Sequence, residues 1–260
     1  MFRKLSALVM VLSLIMMGTA YAENYPKFAQ DEIKLSNGKS LKIAVFEHAS
    51  LVVVYDGVGI YIDPVGLAED FKNVPPASLI LLTHGHPDHY DIDGLLDITQ
   101  KEAKIITTAD VLDSLSREVK NAPLLVMNNG ESKELFGVKI EAVPAYNFPP
   151  NNAHPQGVGN GYVLNIDNKR IYIAGDTDDI PEMRALKNID VAFLPMNLPF
   201  TMTPEKAADA VKAFKPKVVY PYHYRSEDMT LSDIAKFGQL LKDVPGVEVR
   251  LRNWYPYDDE

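Results

Sequence analysis

The sequence predicts an α/β protein of the α+β type, in which two β-sheets pack face to face between outer helices as a four-layer αββα sandwich. Two observations lead to this fold class. Strand-like segments come first in pairs and later mixed with helical segments, and both halves of the chain repeat this order. A doubly wound parallel sheet would instead alternate strands and helices strictly, so the pattern argues against it.

The first half begins with a predicted β-hairpin. Residues 42–63 are rich in β-branched and apolar side chains, and the Asp56-Gly57 pair within them is a turn signal. The continuous apolar run at residues 78–83 fits a strand that is buried on both faces. The pattern then predicts helices at 91–103 and 109–119, strands at 104–108 and 123–127, and two more strands between an Asn-Gly turn at 129–130 and residue 146.

The second half repeats this style. A turn at residues 167–168 separates predicted strands at 161–166 and 170–174. Thr203 and Pro204 begin a helix, because threonine caps a helix N-terminus and proline fits its first position. The pattern also predicts strands at 191–195, 217–220 and 247–251, and a helix at 231–241.

Residues 1–22 are predicted to be a secretory signal peptide. Two basic residues precede an apolar run at 5–17, and an A-x-A cleavage site follows at 20–22. The run is shorter than the roughly 20 residues that a bilayer-spanning helix needs, so we expect cleavage and no stable membrane anchor. An uncleaved anchor is the alternative. The remaining chain, 23–260, is expected to be one domain in the periplasm or outside the cell.

Composition restricts the kind of site that the chain can build. It has 260 residues, 47% of them hydrophobic, a formal net charge of -9, six histidines and no cysteine. The lack of cysteine excludes disulfide scaffolds, thiolate zinc sites and cysteine nucleophiles. We find no clustered lysine and arginine of the kind that nucleic-acid binding needs, so we expect a small-molecule substrate. Any metal must therefore be bound by histidine and carboxylate side chains.

Residues 83–89, with the sequence THGHPDH, are the most informative stretch for chemistry. His84, His86, Asp88 and His89 provide four potential metal ligands directly after a predicted buried strand. Imidazole and carboxylate groups suit borderline divalent metals, and a loop can converge them because helical spacing does not constrain it. One tetrahedral zinc ion does not easily use so many neighbouring donors, so the stretch favours two metal ions.

The H-x-H-x-D-H motif after an apolar strand resembles the signature of the metallo-β-lactamase superfamily, and later motifs extend the resemblance over most of the chain. Asp176 follows the strand RIYIA, as the bridging aspartate of that family does, and His223 follows the strand KVVY, as its last histidine does. Asp63 resembles the early strand-end aspartate that braces the metal loop. The motifs PAYN, GYVL, GDTD, LPMN, TMTPEKAADA and YPYHY are closer still to the ascorbate-6-phosphate lactonase-like branch, which includes relatives acting on phosphodiesters.

The resemblance implies a sandwich of the metallo-β-lactamase type with two metal positions. In many members a metal-binding histidine directly follows the P-A-[FY] strand end, where this chain has Asn147. We expect His154 to take that place because imidazole is the better ligand. The alternatives are the amide oxygen of Asn147 or a water molecule. The implied ligands are His84, His86 and His154 for the first metal and Asp88, His89 and His223 for the second, with Asp176 bridging both.

The resemblance also implies hydrolysis by a hydroxide that bridges two divalent metal ions. Zinc is the expected metal, with manganese or iron as alternatives, and coordination lowers the pKa of water toward about 7. The hydroxide would attack a carbonyl carbon or a phosphorus atom, and Asp88 or a second water molecule could carry a proton to the leaving group. Further residues expected near the metals or the substrate are His48, Asp63, Asn147, Tyr222 and Arg225; for His48, Tyr222 and Arg225 a purely structural role is the alternative.

The sequence therefore predicts a periplasmic or secreted metal-dependent hydrolase of an ester, lactone or phosphodiester. True β-lactamase activity is a weaker interpretation, because those enzymes often have a cysteine where this chain has Asp176. The apolar residues 198–200 favour a partly hydrophobic substrate, and Arg225 could bind an anionic group. An iron-dependent redox protein of the same fold and a non-catalytic metal-binding protein are the alternatives.

Overall fold

The computed structural model describes residues 31–66, 68–99, 103–119 and 122–255. Within this part of the chain, the strands form two seven-stranded sheets, as the predicted sandwich requires. The predicted signal peptide, residues 1–22, lies outside the described residues.

The first sheet contains the first seven strands side by side in chain order. These are β1 Asp31–Lys34, β2 Ser40–Val45, β3 Leu51–Tyr55, β4 Val58–Ile62, β5 Ala77–Leu81, β6 Lys104–Thr107 and β7 Leu124–Val126. Neighbours are antiparallel from β1 to β4 and parallel from β4 to β7. Asp56 and Gly57, at the turn between β3 and β4, have positive φ angles of 51° and 81°, as the predicted hairpin turn requires.

The second sheet contains the remaining seven strands in the order β14-β13-β12-β11-β10-β9-β8. These are β8 Ser132–Leu135, β9 Val138–Ala145, β10 Gly159–Ile166, β11 Lys169–Ile173, β12 Val191–Pro195, β13 Val218–Tyr222 and β14 Glu248–Val249. Neighbours are antiparallel from β8 to β11 and parallel from β11 to β14.

The helices of the described segments fall mostly where the sequence predicts them. They are α1 Ile92–Ile98, α2 Ala109–Glu118, α3 Pro181–Arg184, α4 Pro204–Phe214, α5 Ile234–Leu241 and a 3₁₀ helix at Ala68–Phe71. The Thr203 side chain accepts a hydrogen bond from the Lys206 backbone N–H, which confirms the predicted cap of α4.

Some predicted boundaries are wrong. Helix α1 ends at Ile98, before the predicted residue 103, because Thr99 has an extended backbone with ψ 110°. Helix α5 begins three residues later than predicted, because Leu231 instead forms an isolated β-bridge with Arg225 and Asp233 caps the helix. The last strand covers only Glu248–Val249, and β1, the 3₁₀ helix and α3 have no predicted counterpart.

Alternate side chains along a strand face different layers of the sandwich. Val53 belongs to the core cluster that includes Ile140 of the second sheet, whereas Val52 and Val54 belong to a cluster with Leu115 of α2. Successive side chains of a strand point to opposite faces, so sheet packs on sheet at the centre and helices cover the outer faces. This confirms the αββα architecture. None of the helices in the described segments has the length and hydrophobicity needed to cross a membrane.

The parallel strands bring the polar motifs to one end of the sandwich. Strands β4 and β5 are parallel neighbours, and Asp63 and the residues 83–89 loop follow their carboxyl ends. Strands β11, β12 and β13 are likewise parallel neighbours, and Asp176 and His223 follow two of them. Carboxyl ends of adjacent parallel strands lie at the same sheet edge, which is where ligand sites of such sheets form.

Candidate metal centre

Loops from both sheets bring seven imidazole and carboxylate side chains together. Within each of three overlapping groups, the potential ligand atoms lie within 4.8 Å of one another. The groups are His84, His86 and His154; His84, His89 and Asp176; and Asp88, His89 and His223. The structure therefore brings together every residue that the sequence nominates as a metal ligand.

The loop that carries four of these residues is braced by Asp63. One carboxylate oxygen of Asp63 accepts from the Thr83 backbone N–H at 2.8 Å, and the other accepts from the Thr83 hydroxyl at 2.7 Å. The second oxygen also lies 2.8 Å from Nδ1 of His89. A carboxylate can only accept here, so His89 carries its proton on Nδ1 and presents Nε2 to the cluster. Asp63 thus holds the loop and stays outside the three ligand groups.

Asn147 and His154 lie close together, and their contacts distinguish their roles. The Asn147 Oδ1 accepts from the His154 backbone N–H at 3.0 Å and lies 2.7 Å from His154 Nδ1. The Asn147 Nδ2 donates to the Phe200 carbonyl at 2.8 Å. Both ends of the Asn147 amide are therefore engaged away from the cluster, and it is the His154 imidazole that joins His84 and His86.

Asp176 lies at the centre of the cluster and is 3% exposed. Its Oδ1 is 3.3 Å from His89 Nε2, and its Oδ2 is 3.4 Å from His154 Nε2 and 3.6 Å from His223 Nε2. One carboxylate therefore faces imidazoles from both predicted metal positions. This is the placement that a bridging ligand needs.

Several buried ring nitrogens and one carboxylate oxygen in the cluster lack a hydrogen-bond partner among the described residues. These atoms are Nε2 of His84, His89 and His154, Nδ1 of His223 and Oδ1 of Asp176. Buried polar atoms are nearly always paired, because leaving one unpaired is costly. Coordination to a cation would satisfy the three Nε2 atoms and the carboxylate oxygen, and imidazole and carboxylate are suitable donors. The residues therefore fit divalent metal ions.

Burial and mutual charge shift the pKa values in the cluster in opposite directions. Burial, reinforced by neighbouring histidines, lowers the pKa of His84 well below its ordinary value. Burial also opposes protonation of His89, but the carboxylates of Asp176 and Asp63 outweigh it and raise the pKa of His89. Burial opposes ionisation of Asp176, yet His223 and His89 hold the pKa of Asp176 well below its usual range. The metal-free cluster thus favours an anionic Asp176.

Three other predicted residues lie around this cluster in different environments. The His48 carbonyl accepts from the His223 backbone N–H at 3.0 Å, and burial together with His223 lowers the pKa of His48 to about 4. The Arg225 guanidinium lies 4.1 Å from the centre of the Tyr255 ring. Tyr222 is fully buried in the core, so its position supports the structural alternative over substrate contact.

Asn197 also reaches the cluster, although nothing in the sequence nominates it as a metal ligand. Its Nδ2 lies 3.3 Å from Asp176 Oδ2 and 3.2 Å from His223 Nε2, and the residue is 3% exposed. Asn197 follows the carboxyl end of β12, the strand between those that precede Asp176 and His223. The strand order could have indicated its position, but a single asparagine after a strand does not form a recognisable ligand motif.

A cavity of about 490 Å³ lies beside the metal loop, between α1 and α2. Its described lining includes Gly85, Pro87, Tyr90 and Arg117, and it contains none of the seven candidate ligands. The ligand groups instead become accessible at His86, which is exposed, and at the Asp88 side chain, which is 41% exposed. The candidate metal centre therefore lies at the seven ligand side chains and not in this cavity.

Comparisons with known proteins agree with this geometry. The family model of the beta-lactamase superfamily domain matches residues 62–224, a range that spans all seven candidate ligands. A UPF0173 metal-dependent hydrolase from Thermococcus onnurineus is 34% identical over 212 residues, which cover 78% of this chain and 93% of that protein.

Solved structures show the same fold. A crystal structure of a candidate metal-dependent hydrolase from Parabacteroides distasonis ATCC 8503 is 40% identical, with a TM-score of 0.77 and coverage of 87% of this chain and 99% of that chain. The structure of a metallo hydrolase from Ignicoccus hospitalis is 28% identical, with a TM-score of 0.69 and coverage of 82% and 95%.

Proposed function

Because the chain belongs to the beta-lactamase superfamily and is a metal-dependent hydrolase of the metallo-β-lactamase fold, we propose that it cleaves an ester, lactone or phosphodiester bond at a dinuclear zinc centre. The observation that carries this proposal is the set of three overlapping ligand groups around Asp176. His84 and His89 each belong to two of these groups, so neighbouring cations would share the same cluster of side chains.

Each proposed metal position draws ligands from both sheets. His84, His86 and His154 would hold the first ion and Asp88, His89 and His223 the second, and the Asp176 carboxylate, which faces His89 and His154, would serve both. Bound zinc ions would activate a water molecule near neutral pH and polarise the carbonyl or phosphoryl group under attack. Asp176 is buried and its neighbours hold it ionised, so it offsets part of the metal charge.

The chain itself provides a route for the proton. Asp88 Oδ2 lies 3.2 Å from His223 Nε2, and the Asp88 side chain is 41% exposed, unlike the buried Asp176. A carboxylate between the ligand cluster and solvent can take a proton from the attacking water and return it to the leaving group. We assign this role to Asp88.

Two loops beside the cluster offer contacts for the rest of a small substrate. Asn151 Nδ2 donates to the Pro199 carbonyl at 2.9 Å, so the loop after β9 and the loop after β12 are joined next to His154. Phe148 in the first loop is 43% exposed. Arg225 stacks on the Tyr255 ring, which packs edge-on against His48 beside the cluster, and its charge would favour an anionic group. We therefore propose a substrate that combines an apolar portion with a negative charge.

A substrate panel tests the proposal. The parent protein, loaded with zinc, should hydrolyse at least one of a set of lactones, aryl esters and phosphodiesters, and should be slow on β-lactams. Replacing His86 by alanine should lower kcat/KM by at least about 100-fold, since it removes a metal ligand. Asp56→Asn, which changes an exposed turn residue of the first sheet, serves as the matched surface control. Equal activity of parent and His86→Ala would contradict the proposal.

Metal analysis distinguishes the other function classes. Protein purified without added metal should contain zinc. Stoichiometric iron together with no hydrolysis would favour a redox protein, and bound zinc with no turnover on the whole panel would favour a non-catalytic metal-binding protein.

We further propose that the protein acts in the periplasm or outside the cell. The basis is the pattern of residues 1–22, with basic residues, an apolar run and an A-x-A site. Mass spectrometry of the protein from its native cells should find a chain that begins at Glu23. A full-length chain in the cytoplasmic fraction would contradict this location.

A further inference from the structure

Asn197 is placed to contact whatever binds at the proposed second metal position. Its Nδ2 carries two hydrogens and lies 3.3 Å from Asp176 Oδ2, which can only accept, and 3.2 Å from His223 Nε2. Both of these atoms belong to side chains of the ligand cluster. Asn197 is 3% exposed, so its amide has little access to bulk water.

The orientation of the Asn197 amide is fixed from both ends. The Thr201 hydroxyl donates to Asn197 Oδ1 at 2.7 Å, and the Asp176 carboxylate can only accept. The nitrogen must therefore face Asp176. The Asn197 backbone carbonyl accepts from the N–H groups of Phe200 and Thr201 at 3.0 and 2.9 Å, which anchors the residue in a turn.

The preceding residue joins this turn to the strand end that carries His223. The Met196 backbone N–H donates to the His223 carbonyl at 3.1 Å, and the Ser232 hydroxyl donates to the Met196 carbonyl at 2.6 Å. Asn197 and His223 are thus held at a fixed separation by backbone contacts. A donor held in place before the reaction loses little entropy when it binds an oxygen.

Metal binding would leave one N–H of Asn197 without an acceptor among the described residues. A cation at the group of Asp88, His89 and His223 would occupy the lone pair of His223 Nε2, so this nitrogen could not accept from Asn197. The first N–H of Asn197 would keep Asp176, and the second would face the bound cation and its other ligands. A buried N–H without an acceptor is unfavourable, so the loaded site gains from an oxygen atom at that position.

On this basis we infer that Asn197 is a substrate-binding residue, whose free N–H donates to a carbonyl or phosphoryl oxygen of the substrate beside His223. This inference rests on the proposed function, because it requires a cation at the Asp88, His89 and His223 group. Asn197 would thus bind an oxyanion through an uncharged amide, in addition to the metal ions.

Binding of inorganic phosphate to the cobalt-loaded protein tests the inference without requiring turnover. The visible spectrum of bound Co²⁺ reports both the metal affinity and the phosphate affinity. Asn197→Ala should raise the Kd for phosphate about tenfold, as expected for loss of one hydrogen bond to an anion. The Kd for Co²⁺ is measured in the same titration, so that any loss of the Asn197 contact with Asp176 is separated from the loss of phosphate binding, and the phosphate Kd should rise by the larger factor. Asn165→Ala, in strand β10 of the same sheet, is the matched control and should leave both constants unchanged.

Thr201→Val provides a second variant that keeps the Asn197 side chain but removes the hydroxyl that orients it. This variant should weaken phosphate binding by a smaller factor. If circular dichroism shows that Asn197→Ala does not fold, the phosphate Kd of Thr201→Val tests the inference instead. A phosphate Kd unchanged in both variants, or raised only in proportion to the Co²⁺ Kd, would overturn the inference. A parent protein that binds no Co²⁺ would instead contradict the proposed function.

Discussion

His89 Nδ1 lies 2.8 Å from Asp63 Oδ2, and both side chains are fully buried. This contact joins the carboxyl ends of two neighbouring parallel strands, β4 and β5. Because the carboxylate fixes the proton on Nδ1, the Nε2 atom of His89 is free to serve as a ligand. The candidate metal centre thus depends on a residue that belongs to none of the ligand groups.

Asp63→Asn should weaken metal binding although it removes no ligand. The asparagine amide can place a donor against His89 Nδ1, which favours the tautomer with its proton on Nε2 and blocks coordination. We expect the Kd for zinc to rise about 10- to 100-fold, the usual effect of losing such a supporting contact. Competition with a fluorescent chelator measures this, and Asp56→Asn is the control. An unchanged zinc affinity in Asp63→Asn would contradict the assigned role.

Asn147→Ala should affect one metal position more than the other. Asn147 Oδ1 contacts both the backbone N–H and Nδ1 of His154, and His154 belongs only to the first ligand group. We expect the affinity for one metal equivalent to fall about 10- to 100-fold while the second equivalent is retained. Isothermal titration with zinc would resolve the two equivalents.

Asn151→Ala is the matched control for this experiment. Asn151 lies in the same loop, where it donates to the Pro199 carbonyl and accepts from the Ala153 backbone N–H, and within the described part of the chain its side chain makes no hydrogen bond to His154. Equal losses in Asn147→Ala and Asn151→Ala would indicate a general loosening of the loop and would contradict a specific role for Asn147.

Removal of metal should lower thermal stability, because the ligands come from loops of both sheets. A ligand at about 100 times its Kd stabilises the folded state by about 2.7 kcal/mol. For a chain of this size, that corresponds to a fall of about 5–10 °C in Tm after treatment with a chelator. Differential scanning calorimetry before and after chelation, followed by reloading with zinc, measures it. A Tm that does not respond to chelation or reloading would argue against a metal held between the sheets.

Acid should weaken a separate electrostatic contact, at Asp190. This side chain accepts from Lys217 Nζ at 2.8 Å and from the Arg170 backbone N–H at 3.0 Å. Burial opposes ionisation of Asp190, but these hydrogen bonds outweigh it and lower the pKa of Asp190 below its ordinary 3.8. Folding therefore favours the carboxylate, so the stabilisation is complete above about pH 3.8 and is lost as the pH falls through the lower folded-state pKa.

Urea unfolding of Asp190→Asn measures that contribution. Because the Lys217 side chain is 69% exposed and screened by solvent, we expect a loss of only about 1 kcal/mol at pH 7. The loss should shrink below about pH 3.8. Asp243→Asn, which makes the same substitution at an exposed position, is the control. If the difference in unfolding free energy between the parent and Asp190→Asn grew as the pH fell, the assigned contribution of the Asp190 carboxylate would be contradicted.

The parts of the site that follow strand ends could be predicted from the sequence. The 83–89 loop combines contiguous ligands with an apolar strand, and Asp176 and His223 follow two further strands in the expected order. The choice of His154 over Asn147 as the candidate ligand also follows from donor chemistry. These features depend on local sequence and on strand order alone.

The contacts that fix the orientation of the ligands could not be predicted in this way. The hydrogen bond that the His154 backbone N–H donates to Asn147 Oδ1 requires the loop to fold back. The Asn147 backbone N–H, which donates to the His154 carbonyl at 2.9 Å, holds the loop in that position. Asn197 reaches the cluster only because β12 lies between β11 and β13. Strand β1 escaped prediction because it is four residues long, and its DEIK sequence alternates intermediate and exposed positions.

Seven side chains are proposed to form a centre for two metal ions. X-ray diffraction from zinc-loaded crystals, measured on both sides of the zinc absorption edge, counts the bound ions and identifies their ligands. We expect two anomalous peaks, each about 2.0–2.2 Å from its ligand atoms: one among His84, His86 and His154, the other among Asp88, His89 and His223, with Asp176 contacting both. A single peak, or peaks bound by other residues, would rule out the dinuclear centre.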